Sequence, residues 1–371
     1  MKKFLAVLLV LVLAMSALTG CGGGADNGAD GQTPSGEPEL TVGFIYIGPA
    51  TDGGFSEAQD RGRQAMEEYF DGRVKTLKVE NVPEEKQEVK SAALLMMDQG
   101  ATVIIGTSFG YMDSMEELAA EYPDITFLHF SGNKMNDTNF GNYFGAMEEP
   151  RYLAGMIAGL MTETNKIGYV AAFDYTELII GINAFTLGAQ SVNPDVEVKV
   201  VYTNAWVDAA REKEAAEALL AQGCDVIEQH SDTTGPQIAA EAAGAYAIGY
   251  NMDSREAAPG AYLTAPIWHH EAYYIEQVQA ILDGTWKPES YYGTMADGYV
   301  GLAEMTDLVP AEVQEQVKAV EEKILAGEFP IFVGPVKFND GTTLGEEGKA
   351  LDRAEIWTMV KLVEGATSAS S

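Results

Sequence analysis

The sequence predicts an α/β protein built as two doubly wound parallel-sheet lobes joined by a hinge, and two observations carry that prediction. From Leu40 onward, short β-rich runs alternate with longer helical patterns: Leu40 to Ile47, Val74 to Val79, Thr102 to Ile105 and Ile125 to Phe130 read as strands with helices between them. Parallel neighbours need long crossovers, and crossover helices cover both faces of the sheet, so this alternation implies parallel strands. The pattern then restarts at Lys166 and repeats the first half. Val42-Gly43-Phe44 recurs as Ile167-Gly168-Tyr169, and Gln99-Gly100-Ala101-Thr102-Val103-Ile104 recurs as Gln222-Gly223-Cys224-Asp225-Val226-Ile227, at a nearly constant offset. A repeat this long is a second lobe of matching topology, not a solenoid unit. The 371 residues are enough to give each lobe a core of ordinary size.

Ahead of the lobes, Met1-Lys2-Lys3, the apolar run Phe4 to Leu13 and Leu18-Thr19-Gly20-Cys21 form a lipoprotein signal over residues 1–20. The run is short for a membrane span, and small residues before a cysteine make a processing site. Cys21 is expected to carry the lipid and become the new N-terminus, held on the outer face of the cell membrane. Residues 21–39 follow as a tether: Gly22 to Glu39 holds no large apolar residue and cannot offset its own ordering entropy. As a coil it spans on the order of 20 to 25 Å, and fully extended about 60 Å.

The formal net charge is −33, and loss of Lys2 and Lys3 with the signal makes it more negative. Such a surface repels phosphate backbones and disfavours nucleic acid; neutral or cationic ligands suit it better. With Cys21 lipidated, Cys224 has no disulfide partner, and its place at a strand start suits a small buried thiol.

In doubly wound sheets, ligands bind beyond the carboxyl ends of the strands, so two facing lobes form one cleft lined by the loops after each strand. Those loops are Gly48 to Phe55 and Thr107 to Tyr111 in the first lobe. In the second they are Phe173 to Leu178, Asn204 to Asp208, His230 to Thr234 and Tyr250 to Ser254. Phe55, Phe109, Trp206 and Trp268 fall at or just beyond strand ends, where together they favour a stacking site over loop packing. Asp60, Asp208, Asp232 and Asp253 supply acceptors for ring N–H groups or sugar hydroxyls, where a phosphate would call for Lys or Arg. Asp208 reads chiefly as a helix cap.

Gly106-Thr107-Ser108-Phe109-Gly110 matches G-x-S-x-G between a strand and a helix, and Ser108, Asp232 and His269 or His270 follow the order of a hydrolase triad. A secreted serine hydrolase is therefore an alternative, ranked below a binding site because the equivalent turn of the second half carries no such motif. His129 reads as structural. His269-His270 lacks partners for a metal, and Asp52-Gly53-Gly54-Phe55 lacks the spacing of a dinucleotide or phosphate loop, so no cofactor is expected.

Across residues 40–338 the chain resembles the basic membrane protein family, lipid-anchored substrate-binding components of ABC importers for purine nucleosides or related purines. The resemblance is carried by Asp52-Gly53-Gly54-Phe55, Gly106-Thr107-Ser108-Phe109-Gly110, Tyr143-Phe144-Gly145 with the run Arg151 to Gly159, Gly249-Tyr250-Asn251-Met252-Asp253 and Leu282-Asp283-Gly284-Thr285-Trp286. It implies a type I periplasmic-binding-protein fold with crossings near Ala146, Thr264 and Tyr291, the helix from Trp268 to Asp283 returning to the first lobe. The lobes are then 40–145 plus 265–290 and 146–264 plus 291–366, with 367–371 a disordered tail. It also implies a base stacked between Phe55 and Trp206 or Trp268, with Asp253 at its polar edge or ribose. Ser56, Asp60, Ser108, Phe109, Asp232 and Asn251 complete the expected ligand-binding set. Ser56 stands where nucleoside-binding members have Asn, which leaves nucleoside and free base both open. Permease subunits are the implied protein partners; a sensor, or a sugar-binding protein of the same fold, is the other non-enzymatic reading.

Overall fold

The computed structural model describes residues 37–368; the expected signal at 1–20, the lipidated Cys21, the tether through residue 36 and residues 369–371 lie outside the described residues. The first half runs β1 (Leu40–Ile45), α1 (Phe55–Tyr69), β2 (Val74–Val79), α2 (Lys86–Met97), β3 (Val103–Gly106), α3 (Met112–Glu121), β4 (Thr126–Phe130) and β5 (Phe140–Gly145). The second half opens with α4 (Glu148–Met161) and continues β6 (Lys166–Ala171), α5 (Thr176–Val192), β7 (Glu197–Tyr202), α6 (Ala209–Ala221), β8 (Val226–His230), α7 (Gly235–Ala243), β9 (Tyr246–Ile248) and β10 (Tyr262–Thr264). The remainder comprises β11 (Pro266–Trp268), α8 (His270–Leu282), β12 (Ser290–Gly293), β13 (Val300–Leu302), α9 (Ala311–Leu325), β14 (Val336–Lys337), β15 (Thr343–Leu344), α10 (Arg353–Ile356) and β16 (Ala366–Ser368).

The strands build two six-stranded sheets, ordered β2-β1-β3-β4-β5-β12 and β16-β7-β6-β8-β9-β10, and every pair in both is parallel. The fold is that of two doubly wound lobes. Val103–Gly106 is an apolar strand buried throughout, as a strand covered on both faces requires, and Val226–His230 is equally buried although it carries Glu228, Gln229 and His230. Each sheet reverses its winding beside its first strand, which places the switch points at the carboxyl ends of β1 and β3 and of β6 and β8.

Three passages of chain join the lobes. The first leaves β5 at Gly145 and enters α4, which packs backbone to backbone on α5. A Cβ at Gly155 would lie 2.0 Å from the carbonyl oxygen of Phe185, and one at Gly188 2.0 Å from that of Tyr152, so only glycine permits this approach. The second leaves β10 for β11, which pairs antiparallel with β13, and α8 then packs on α1 of the first lobe. Trp268 closes β11 in extended backbone, its N–H donating to the Asn251 carbonyl at 3.1 Å, and the helix starts at His270. The third passage follows Gly293, beyond the expected Tyr291, because Tyr291 and its neighbours as far as Gly293 pair with β5. The chain end also differs from expectation: Thr367 and Ser368 extend β16 along β7 as an edge strand. Tyr143 stacks on Tyr273 at 4.1 Å, and Tyr291 and Tyr299 pack edge-on beside them, giving the crossings a buried aromatic base.

Candidate functional site

In the first lobe, the loop after β1 is tied down by Asp52. Its carboxylate accepts from the N–H groups of Gly54 (2.9 Å), Ser56 (2.8 Å) and Glu57 (3.0 Å), satisfying the first turn of α1 and setting Phe55 at the helix start. Phe55 packs on Phe130 with ring centroids 5.5 Å apart. After β3, the Ser108 hydroxyl donates to Glu84 Oε1 at 2.6 Å and the Gly110 N–H to the same oxygen at 2.8 Å. That clamp presents Phe109, which is 45% exposed.

In the second lobe, Phe173 and Tyr175 stack at 4.9 Å and Trp206 meets Phe173 edge-on at 5.2 Å. Tyr175 faces Phe109 of the other lobe at 6.5 Å. Asp232 is buried; its N–H donates to the Trp206 carbonyl at 3.0 Å, and its Oδ1 accepts from the Asn251 amide at 3.3 Å. Beneath this floor Arg151 and Glu228 form a fully buried pair at 2.7 Å, with the guanidinium 4.2 Å from the centroid of the Tyr250 ring.

These walls enclose an inner cavity of about 30 Å³, bounded by Ile47, Phe55, Ser108, Phe109, Phe130 and Ser131 from the first lobe and by Glu177, Trp206, Asp232 and Tyr250 from the second. Phe109, Ser131, Glu177 and Trp206 also border an outer chamber of about 660 Å³, with Asp174, Tyr175, Arg353 and Trp357 among its other walls. No Lys or Arg lines the inner cavity. Burial pushes the Glu177 carboxyl up to about 7 and holds that of Asp232 well above the usual range, with Asp52 and Glu212 adding to the latter. Aromatic faces, two carboxylates and hydroxyls suit a flat, neutral or cationic molecule rich in N–H or O–H donors.

Residues 39–333 match the family model of PnrA-like ABC transporter substrate-binding proteins. The chain belongs to this Bmp family. A purine-binding protein of Brucella abortus (strain 2308) is 38% identical over 329 residues, 89% of this chain and 93% of its own. A putative ABC transporter glucose-binding protein of Haloferax volcanii is 39% identical over 306 residues, 82% of this chain and 77% of its own. The solved structure of an ABC transporter solute-binding protein from Aeropyrum pernix K1 shares the fold, with TM-score 0.68 at 18% identity over 81% of this chain and 93% of its own.

Of the residues expected to bind ligand in this substrate-binding protein, Phe55, Ser108, Phe109, Trp206 and Asp232 border the inner cavity and the others do not. Ser56 is buried beneath it, its Oγ accepting from the Gly48 N–H at 3.2 Å. Asp60 belongs to an ion cluster inside the first lobe, 2.6 Å from Arg63 and 3.4 Å from Lys78. Burial pushes its carboxyl up, but bonds from Arg63 and Gln64 outweigh that and hold it below the usual range. Asp253 faces an outer groove, paired with Arg255 at 2.6 Å. Trp268 stands behind Phe130, edge-on at 5.1 Å, and its indole N–H donates to Asn251 Oδ1 at 3.2 Å. Asn251 thus orients Asp232 from behind.

Sequence reasoning did not single out Glu177, Tyr250, Ile47, Phe130 or Ser131. The first two lie in loops named as cleft-lining, the only signal for Glu177, while Tyr250 also stands in the Gly249 to Asp253 motif of the family resemblance. The hydrolase triad is not assembled: Ser108 Oγ bonds a carboxylate, His269 pairs with Glu271 at 3.3 Å, and His270 meets the Tyr299 hydroxyl at 3.2 Å. Among the described residues no cluster of His, Cys, Asp and Glu could hold a metal ion.

The buried carboxyls give stability a pH dependence whose sign follows from the direction of their shifts. Glu148 and Glu177 are both pushed up to about 7 by burial, so the folded chain holds protons that the unfolded chain has released between about pH 4.5 and 7. Their stabilisation is therefore lost as pH rises through that window. Burial lowers His129 to about 4 and His270 to about 3 and depresses His230 well below its usual value, so acidification below about 6.5 acts against the fold. Calorimetric melts should rise from about pH 8 towards 6.5, with Glu148→Gln and Glu177→Gln each flattening this alkaline limb. An alkaline limb unaltered in both variants would contradict this assignment.

Proposed function

We propose that the chain is the lipid-anchored, extracytoplasmic binding component of an importer for a purine base or nucleoside, carrying its ligand between the lobes to membrane permease subunits. The observation that carries this reading is the lining of the inner cavity, with Phe55 and Trp206 supplying one ring from each lobe and Asp232 and Glu177 its only carboxylates. Stacking on aromatic rings tolerates any base, and carboxylates select ligands that donate hydrogen bonds. The name of the Brucella abortus relative agrees with it. Lid or hinge closure around the ligand needs contacts made only in the closed state, and no chemistry. Among the described residues no helix is long and apolar enough to cross a membrane; the proposed anchor is the lipid on Cys21, on the strength of the signal sequence before it. Cys21→Ser should abolish incorporation of labelled palmitate; persistent labelling would place the anchor elsewhere.

A sugar ligand is the second reading, favoured by the name of the Haloferax volcanii relative and by the polar and aromatic walls of the outer chamber. Native mass spectrometry of protein purified from cells, followed by calorimetry with adenine, guanine, adenosine, guanosine and glucose, separates the two. Micromolar binding of a purine with no heat from glucose is the expected result. Binding of glucose alone would overturn the purine reading and keep the aromatic walls as a sugar platform.

A further inference from the structure

We infer that Gly54 is the stop that sets how far the two lobes close, and that it does so against the same residue whose side chain reads the ligand. A Cβ built on Gly54 would lie 2.0 Å from the carbonyl oxygen of Asp232 and 2.8 Å from its carbonyl carbon. Both belong to backbone, which cannot rotate aside as a side-chain tip can. Gly54 is in the loop after β1 of the first lobe and Asp232 in the loop after β8 of the second, so the contact is between lobes. The polar groups of Gly54 are used within its own lobe: its N–H donates to Asp52 Oδ1 at 2.9 Å, and its carbonyl accepts from the Ala58 N–H at 2.9 Å. What faces Asp232 is therefore a bare Cα. Asp232 offers its backbone to Gly54 and its carboxylate to the inner cavity. Any residue larger than glycine at position 54 holds the lobes apart by more than an ångström or so, judged by ordinary carbon–oxygen packing distances, and draws that carboxylate away from the first-lobe wall. Full closure and ligand contact are thus one geometric event.

The neighbouring Gly53 supplies the control. It has φ +75°, so a side chain there is strained locally, yet its Cβ would meet only Thr234 Cγ2 at an ordinary 3.5 Å. Gly53→Ala perturbs the loop without blocking closure, and Gly54→Ala blocks closure.

The test requires no knowledge of the ligand. In the full chain carrying Phe109→Cys and Tyr175→Cys, whose native rings lie 6.5 Å apart across the cleft, a short bismaleimide reports closure as a cross-linked peptide quantified by mass spectrometry. Adding Gly54→Ala should slow cross-linking at least tenfold. Adding Gly53→Ala should leave the rate within about twofold and lower the melting temperature. Equal slowing by both would mean loop distortion and would overturn the inference, as would an unchanged rate in Gly54→Ala. Should Gly54→Ala fail to fold, Asp232 and Gly54 are in contact for stability and the inference also falls. Because no purine is added, these outcomes are independent of whether the purine reading holds.

Discussion

Arg151→Met is expected to lower the stability of the protein by about 3–5 kcal/mol, the cost of stranding one member of a buried ion pair. Arg151 Nη1 lies 2.7 Å from Glu228 Oε1 with both side chains fully buried, and the same nitrogen donates to the Gln229 carbonyl at 3.2 Å. Without the guanidinium the Glu228 carboxylate has no counter-charge. Burial already pushes its carboxyl well above the usual range, and Arg151 opposes that push. The guanidinium also supports the Tyr250 ring that walls the cavity, so ligand affinity should fall together with stability. Denaturant titration of Arg151→Met beside Arg151→Met/Glu228→Leu distinguishes the charge effect from simple loss of volume. The double variant should recover much of the loss, since apolar replacements of a buried pair are often neutral or better. If it is as unstable as the single variant, the pair acts through packing, not charge.

Phe55→Ala and Trp206→Ala should each weaken purine binding by about tenfold to a hundredfold, because stacking contributes on the order of 1 to 3 kcal/mol per base. Both rings border the inner cavity, and they come from opposite lobes. Trp268→Ala should behave differently. Trp268 is buried against Phe130 and Phe144, at 5.1 and 5.2 Å, so truncation leaves a core cavity and costs roughly 3–5 kcal/mol of stability. Calorimetry and thermal melts on the three variants separate these outcomes. A Trp268→Ala protein with native melting and lost binding would mean that this indole, not Trp206, faces the base.

Where sequence reasoning held and where it failed divides along a physical line that particular residues make plain. Phe55 was legible because an aromatic ring at the end of a conformationally constrained glycine loop, just past a strand, has few places to go. Asp232 was legible as an acceptor in a loop at the carboxyl end of β8. Asp253 looked equivalent, but Arg255 two residues on captures it, with Arg255 Nε 2.8 Å from Oδ2. Asp60, on α1, looked like a cleft acid and is instead the counter-charge for Arg63 one turn further along the same helix and for Lys78 of β2. Glu177 carried no sequence signal beyond its loop. It is half-buried where the lobes meet, between the inner cavity and the outer chamber.

By itself, then, the sequence determined two parallel sheets, their switch points and the set of loops between them, because strand and helix periodicity and crossover length are properties of short, contiguous segments. Only the tertiary structure decided which acids in those loops face the ligand cavity, where the third crossing leaves the first sheet, and that Gly54 rests on Asp232. The crossing and the Gly54 contact depend on partners well over a hundred residues away in the chain, and the acids are sorted by side-chain pairings, some as near in sequence as Arg255 to Asp253, whose geometry local pattern does not specify.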